Sequence, residues 1–195
     1  MKPAEWKRFA EPALGSGWAF SKGLAYCTPV GWVAHGVLAE RSGEGGFYLW
    51  AVRLPLYYPT EVVVLDWSER IGGGTKVWNT SPEIFEVLRK EGNRIQAETK
   101  SCGSVLLVPP GGADNISMQE TRAYGLVLEG HVDAAIEVLG RVLRYEPKYD
   151  WEHVMVARSR GVREQLISGA VDDVLALLSI WRSESARTVG ISLEV

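Results

Sequence analysis

The feature that most constrains this chain is an internal repeat near its end. Gly169-Ala-Val-Asp-Asp-Val-Leu-Ala-Leu-Leu178 restates Gly130-His-Val-Asp-Ala-Ala-Ile-Glu-Val-Leu139 at an offset of 39 residues. Glycine, valine, aspartate and the later aliphatics coincide. The first copy sets Val132, Ala135, Ile136, Leu139, Val142 and Leu143 along one helical stripe, the pattern of a helix with a single buried side. Pro147 closes it. A unit that recurs with one apolar side buries that side against a neighbouring copy. Before it, Ser117-Met-Gln-Glu120 has the form of a capping box, opening a helix that runs to about Glu129 and ends at Gly130. After it, Asp150 is an N-cap for an intervening helix whose buried side is read as Trp151, Val154, Met155, Val162 and Leu166. Residues 117–188 are therefore predicted to form two stacked helical hairpins.

Gly130 at the tight crossing, Ala135 and Ile136 inside the second helix, and Pro147 at the close make this segment resemble a tetratricopeptide helical hairpin. The second copy departs from that pattern: Trp181 stands where the first has Val142, and no proline closes it. Two hairpins are fewer than the roughly three a free-standing solenoid needs, so they are expected to pack on the remainder of the chain.

The remainder has a different texture. Trp6, Phe9, Ala10, Ala13 and Leu14 fall on one side of a helix over 3–14, with Pro3 allowed in its first turn. Three apolar, aromatic runs follow, over 18–27, 31–40 and 46–58, separated by Thr28-Pro29 and the Ser42–Gly46 cluster. They read as antiparallel strands joined by turns. Residues 47–54 suit a strand covered on both faces, and Val62–Trp67 is read as a further strand. Ser81-Pro82-Glu83 starts a helix, with Ile84, Phe85 and Leu88 on its buried side. Gly92 either ends it or weakens it. Residues 104–108 read as a short strand or an extended cover, and the breaker-rich stretch 109–116 as the boundary. The expected fold is α+β: a sheet domain over 1–110 and a helical region over 117–195 packed on it.

Charge narrows the function classes. Residues 1–110 carry twelve Lys and Arg against eleven Asp and Glu, and residues 111–195 nine against thirteen. Neither half has the clustered cations that displace counterions from nucleic acid. Cys27 and Cys102 make neither a disulfide framework nor a four-ligand zinc site, which predicts a reduced, cytoplasmic chain. Residues 1–14 lack the apolar core of a signal peptide, and no stretch approaches the ~20 apolar residues of a membrane span. No cofactor or metal is expected.

The candidate chemistry is sparse. Residues 71–76, IGGGTK, place glycine N–H groups in succession, as an anion cradle does, yet Thr75 precedes Lys76 and the Walker order fails. A turn is the simpler reading. Asp66 followed by Glu98-Thr99-Lys100 mimics the carboxylates and lysine of metal-dependent nucleases. Glu69 and Arg70 beside it read as a solvated loop pair. His35, on a strand, is either a hydrogen-bonded core group or a general base. His131 and His153 are assigned to helix ends at the surface.

The aromatics point elsewhere. Six of eight tryptophans lie in the first 80 residues, and Trp, Tyr and Arg dominate partner hot spots. The expected contact surface is Trp50, Arg53, Tyr57, Tyr58, Trp67, Arg70, Lys76 and Trp78, with Glu40 a possible partner for Arg53. The layout of the whole chain also resembles small bacterial α+β proteins of toxin–immunity and defence neighbourhoods. Such a likeness implies binding and blocking a cognate toxin. The expected function is thus non-catalytic protein recognition. The alternatives are a metal-dependent nuclease using Asp66, Glu98 and Lys100, another hydrolase using His35, or a small-ligand binder using the concave face of the sheet.

Overall fold

A run of short strands between helices that each bury one side makes the architecture α+β. The computed structural model describes residues 2–42, 46–74, 81–101 and 115–193. Helix α1 (Pro3–Leu14) is followed by strands β1 (Trp18–Ser21), β2 (Leu24–Cys27), β3 (Val33–Arg41), β4 (Phe47–Pro55) and β5 (Glu69–Gly74). Helices α2 (Pro82–Ser101), α3 (Ile116–Leu128), α4 (Val132–Val142), α5 (Asp150–Ile167) and α6 (Val171–Val189) complete the described elements. No described helix is long and apolar enough to cross a membrane.

The chain divides into two compact units. The first comprises residues 1–54, 61–103 and 186–195, the second residues 55–60 and 104–185. The expected break near residue 110 does not account for all of this division: the last residue of β4 and the five after it group with the helices, and the last turn of α6 groups with the sheet.

In the first unit the strands form one meander in sequence order, β1-β2-β3-β4-β5. Because side chains alternate across a strand, one face gathers Ala25, Cys27, Val37, Phe47, Leu49 and Ala51. It packs against Trp6, Ala10, Ala13 and Leu14 of α1 and Ile84, Leu88 and Ile95 of α2. Ser81 caps α2 by accepting from the Ile84 amide at 3.3 Å. Gly92 does not end this helix: a Cβ there would lie 2.6 Å from Leu14 Cδ2, so the residue admits α1. At the chain end, the Ser192 amide donates to the Tyr26 hydroxyl at 3.0 Å.

Two strand assignments differ from expectation. Residues 62–67 are turns and irregular chain, and the glycine stretch at 71–74 is the end of β5, not a turn. Gly73 sits at φ +80° near a register shift at Leu49/Trp50, and a Cβ would fall 2.1 Å from the Phe47 carbonyl oxygen. Glycine is required there by the close approach of β4 and β5, which a composition rule takes for a turn. Strand β4 is covered on one face and only partly on the other, since Tyr48, Trp50 and Arg53 are half-buried. The proposed strand over 104–108, Cys102 and most of the boundary 109–116 lie outside the described residues.

The helical unit keeps the internal repeat in its backbone. Gly130 and Gly169 both have positive φ, +79° and +83°. The following amides reach back identically, His131 to the Leu126 carbonyl at 2.8 Å and Ala170 to that of Gln165 at 2.9 Å. Each is a left-handed helix stop that turns the chain into the next helix. Helix α3 is capped by Asn115, whose side chain accepts from the Ser117 amide at 3.0 Å. Ser117 and Glu120 do not form the expected capping box.

Two glycine substitutions test this packing with opposite signs. Gly36→Ala puts a Cβ 2.3 Å from the Ala25 carbonyl oxygen and is expected to lower stability by about 2 kcal/mol or more through overpacking. Gly161→Ala, in α5 with open space around it, is expected to raise stability by about 0.5–1 kcal/mol. Urea denaturation midpoints measure both.

Candidate functional site

Two polar constellations stand out, one in each unit. In the helical unit Glu120 is wholly buried. Its Oε1 accepts from the Tyr124 hydroxyl at 2.6 Å, Arg158 Nε at 2.9 Å and the Ser159 hydroxyl at 3.0 Å. Its Oε2 accepts from Arg158 Nη2 at 2.5 Å. The guanidinium is therefore bound in a two-pronged fork, with its plane against the rings of Tyr58 at 4.9 Å and Trp181 at 5.7 Å. Tyr124 and Trp181 contact one another at 5.3 Å. Burial works against the Arg158 charge, but the bonds from Glu120 outweigh it and hold the guanidinium protonated. Burial and the Glu120 charge push the Tyr58 phenol up to about 12.

A second buried carboxylate shapes the α4–α5 connection. Glu152 accepts from the Tyr145 hydroxyl at 2.7 Å and from the amides of Lys148 and Tyr149 at 2.6 and 3.1 Å. These bonds, that of Tyr145 first, hold its carboxyl below the usual range. With the linker pinned, Tyr149, Trp151 and Val154 are held outward, 62, 55 and 63% exposed. Trp151 and Val154 were expected on the buried side of α5. That side instead carries Glu152, Met155, Val156, Ser159, Val162 and Leu166.

In the sheet unit the constellation is an ion network at the C-terminal half of α2. Arg53 on β4 donates to Glu98 at 2.8 Å. Arg94 donates to Glu98 at 2.7 Å and Glu91 at 2.6 Å, and reaches Glu69 on β5 at 3.4 Å. Burial disfavours the charge of Glu98, yet Arg53 and Arg94 keep its pKa below the ordinary value. His35 on β3 is 8% exposed, and among the described residues its Nδ1 has no hydrogen-bond partner. Burial, then the Arg53 charge, lowers its pKa. Cys27 nearby in the core has its thiol pushed up to about 11 by burial, which makes it a poor nucleophile.

The residues of the expected nuclease set lie on different elements. Asp66 is exposed on the turn before β5 and Lys100 lies in the last turn of α2, while Glu98 is engaged by two arginines. Among the described residues no three His, Cys, Asp or Glu side chains are grouped to hold a metal ion. The residues expected to form the partner surface divide between core and surface. Tyr57 and Trp67 are core residues at 0 and 3% exposure. Trp50 donates to Glu40 at 2.8 Å, the carboxylate expected for Arg53. Tyr58 lies under Arg158. Arg70 is exposed, stacks on Tyr48 at 4.1 Å and donates to the Gly73 carbonyl. It pairs with no neighbouring Glu69 across a loop, since both are in β5. Lys76 and Trp78 lie outside the described residues. His131 and His153 are exposed at helix starts, as expected.

No protein-family model, no curated protein and no solved structure matches the chain.

Removing Arg158 leaves a buried carboxylate uncompensated. Arg158→Ala is expected to cost about 3–5 kcal/mol, a loss that calorimetry reads. Acid stability also has two separable parts. His35, with its folded pKa depressed, contributes stability above the unfolded value near 6.5 that is lost as pH falls below it. Glu98 and Glu152 contribute stability above the unfolded value of 4.5 that is lost on further acidification. His35→Gln is expected to abolish the slope between about pH 7 and 5 and keep the drop below about pH 5.

Proposed function

We propose that this chain acts by non-catalytic recognition of a protein partner, and that Tyr149, Trp151 and Val154 form the contact surface. The observation that carries this is the exposure of three large apolar side chains within six residues, held in place by the buried Glu152. Aromatic anchors on a rigid backbone bind at low ordering cost. A flexible linker carrying the same residues would lose that advantage. Exposed apolar side chains scattered singly need no explanation, but three within six residues at the start of α5 do.

The catalytic alternatives have less support. Glu98, the central carboxylate of the nuclease pattern, is engaged by Arg53 and Arg94, and the Cys27 thiol near His35 has its pKa pushed up by burial. A cytoplasmic role as an immunity or defence component, by binding and blocking a cognate protein, fits this reading and the layout resemblance. The two helical hairpins, tetratricopeptide-like in their repeat, supply the frame on which the aromatic turn is mounted.

The test is affinity capture from cells of the native source, using the intact chain and the double variant Tyr149→Ala/Trp151→Ala. Both side chains are exposed, so the variant is expected to keep its stability within about 0.5 kcal/mol. A protein recovered in stoichiometric amount by the parent chain and lost from the variant is the expected result. Equal recovery by both chains contradicts the assignment of this surface.

A further inference from the structure

One end of the helix-covered face of the sheet is polar. Cys27 ends β2 within the core that α1 and α2 fill. His35 on β3 lies one step past the paired Tyr26 and Gly36. Because side chains alternate along a strand, His35 shares the face of Val37, and Arg53 on β4 shares the face of Ala51. The last turn of α2, residues 98–101, closes this end. Its Glu98 accepts from Arg53 at 2.8 Å, and its Thr99 side chain hydrogen-bonds with the Cys27 thiol. Among the described residues, the titratable and charged groups that face His35 are Cys27 from β2, Arg53 from β4 and Glu98 from α2.

This turn is held differently from the helix before it. Leu88 and Ile95 are 0 and 3% exposed in the apolar core, whereas the side chains of Glu98 and Arg53 are 29 and 30% exposed. A part-solvated polar hold at a helix end opens at lower free energy than an apolar core. The group beneath it tolerates one charge state better than the other. A neutral imidazole carries one N–H, but an imidazolium carries an N–H on both nitrogens, with no acceptor at Nδ1 among the described residues and the Arg53 cation beside it. Water supplies the missing acceptor and screens Arg53 only when the turn above is open.

We propose that the last turn of α2 is an acid-sensitive cover, shut over Cys27 while His35 is neutral and opened by the uptake of one proton at His35, with Ile95 and the helix before it left in place. What it gates is a thiol shielded at neutral pH and accessible in acid. The device does not rest on the recognition function proposed above. In the open form His35 regains an ordinary value near 6.5, and in the closed form burial and Arg53 hold it lower. The open population is therefore flat above that value and rises about tenfold per pH unit below it.

The test reads the thiol. Cys102→Ser leaves Cys27 as the one cysteine of the full chain, and its reaction with 4,4′-dithiodipyridine is normalised to that of free cysteine at the same pH. Labelling about tenfold faster at about pH 5.5 than at about pH 7.5 is expected, nearly unchanged by about 1 M urea because a single turn exposes little surface. Adding His35→Gln is expected to bring the two rates within about twofold of one another. Equal rates in the parent chain overturn the proposal, as does a full ratio kept in His35→Gln. A steep urea dependence also overturns it, since the whole unit then unfolds. Adding Glu98→Gln instead removes the Arg53 bond, and is expected to raise both rates and keep their ratio. Loss of the ratio there assigns the proton to Glu98 and overturns the proposal, so this variant decides the matter if His35→Gln does not fold.

Discussion

A carboxylate buried without exposure is among the costliest groups a fold can hold, and Glu120 is tolerable only because four hydrogen bonds converge on it. Those bonds come from α3 itself and from α5. Through Arg158 they extend to the rings of Tyr58 and Trp181, and so to the turn after β4 and to α6. A purely apolar contact between these elements can slide. A forked ion pair with fixed donors cannot, because any shift leaves a charge unpaired in a medium that solvates it poorly. The placement of the helical unit's parts around one another thus depends on a single side chain.

The sheet unit has the opposite logic. Its core is apolar, with α1 and α2 filling one face of the meander, and its charged groups sit at the margin. Arg53, Arg94, Glu69, Glu91 and Glu98 join β4, β5 and α2 while remaining partly exposed, so solvent screens each pair and none carries the fold alone. His35 behind them is the exception. It is buried, and its Nδ1 has no hydrogen-bond partner among the described residues, so it adds an acid-sensitive group to this unit beside Glu98.

Much of the architecture was legible in the sequence, for identifiable reasons. Helix α4 has an uninterrupted apolar stripe, and its glycine stop recurs before α6, so both were read correctly. Helix α5 was read one step out of phase because its buried side includes Glu152 and Ser159. Polar residues in apolar positions shift an apparent stripe toward Trp151 and Val154. Ser117 and Glu120 satisfy a capping pattern by spacing alone, yet Asn115 takes the cap and Glu120 turns inward to a partner 38 residues away. The glycines of β5 read as a turn because their role, close approach to β4, is a property of the pairing and leaves no local mark. Tyr57 and Trp67 were misplaced for a similar reason: an aromatic in a connection is as good a core residue as a surface one, and only the fold decides.

Recognition, in this protein, follows from how polar burial is spent. Glu152 fixes a linker that holds aromatics outward, and Glu120 with Arg158 holds an aromatic turn inward. Native-state hydrogen exchange tests most directly whether the turn at 55–60 is an integral part of the helical unit. The account predicts that the Tyr58 and Thr60 amides exchange with the same opening free energy as the central amides of α3 and α5, in one cooperative step. Exchange of those two amides at the rate of an open loop, while α3 and α5 stay protected, would contradict it.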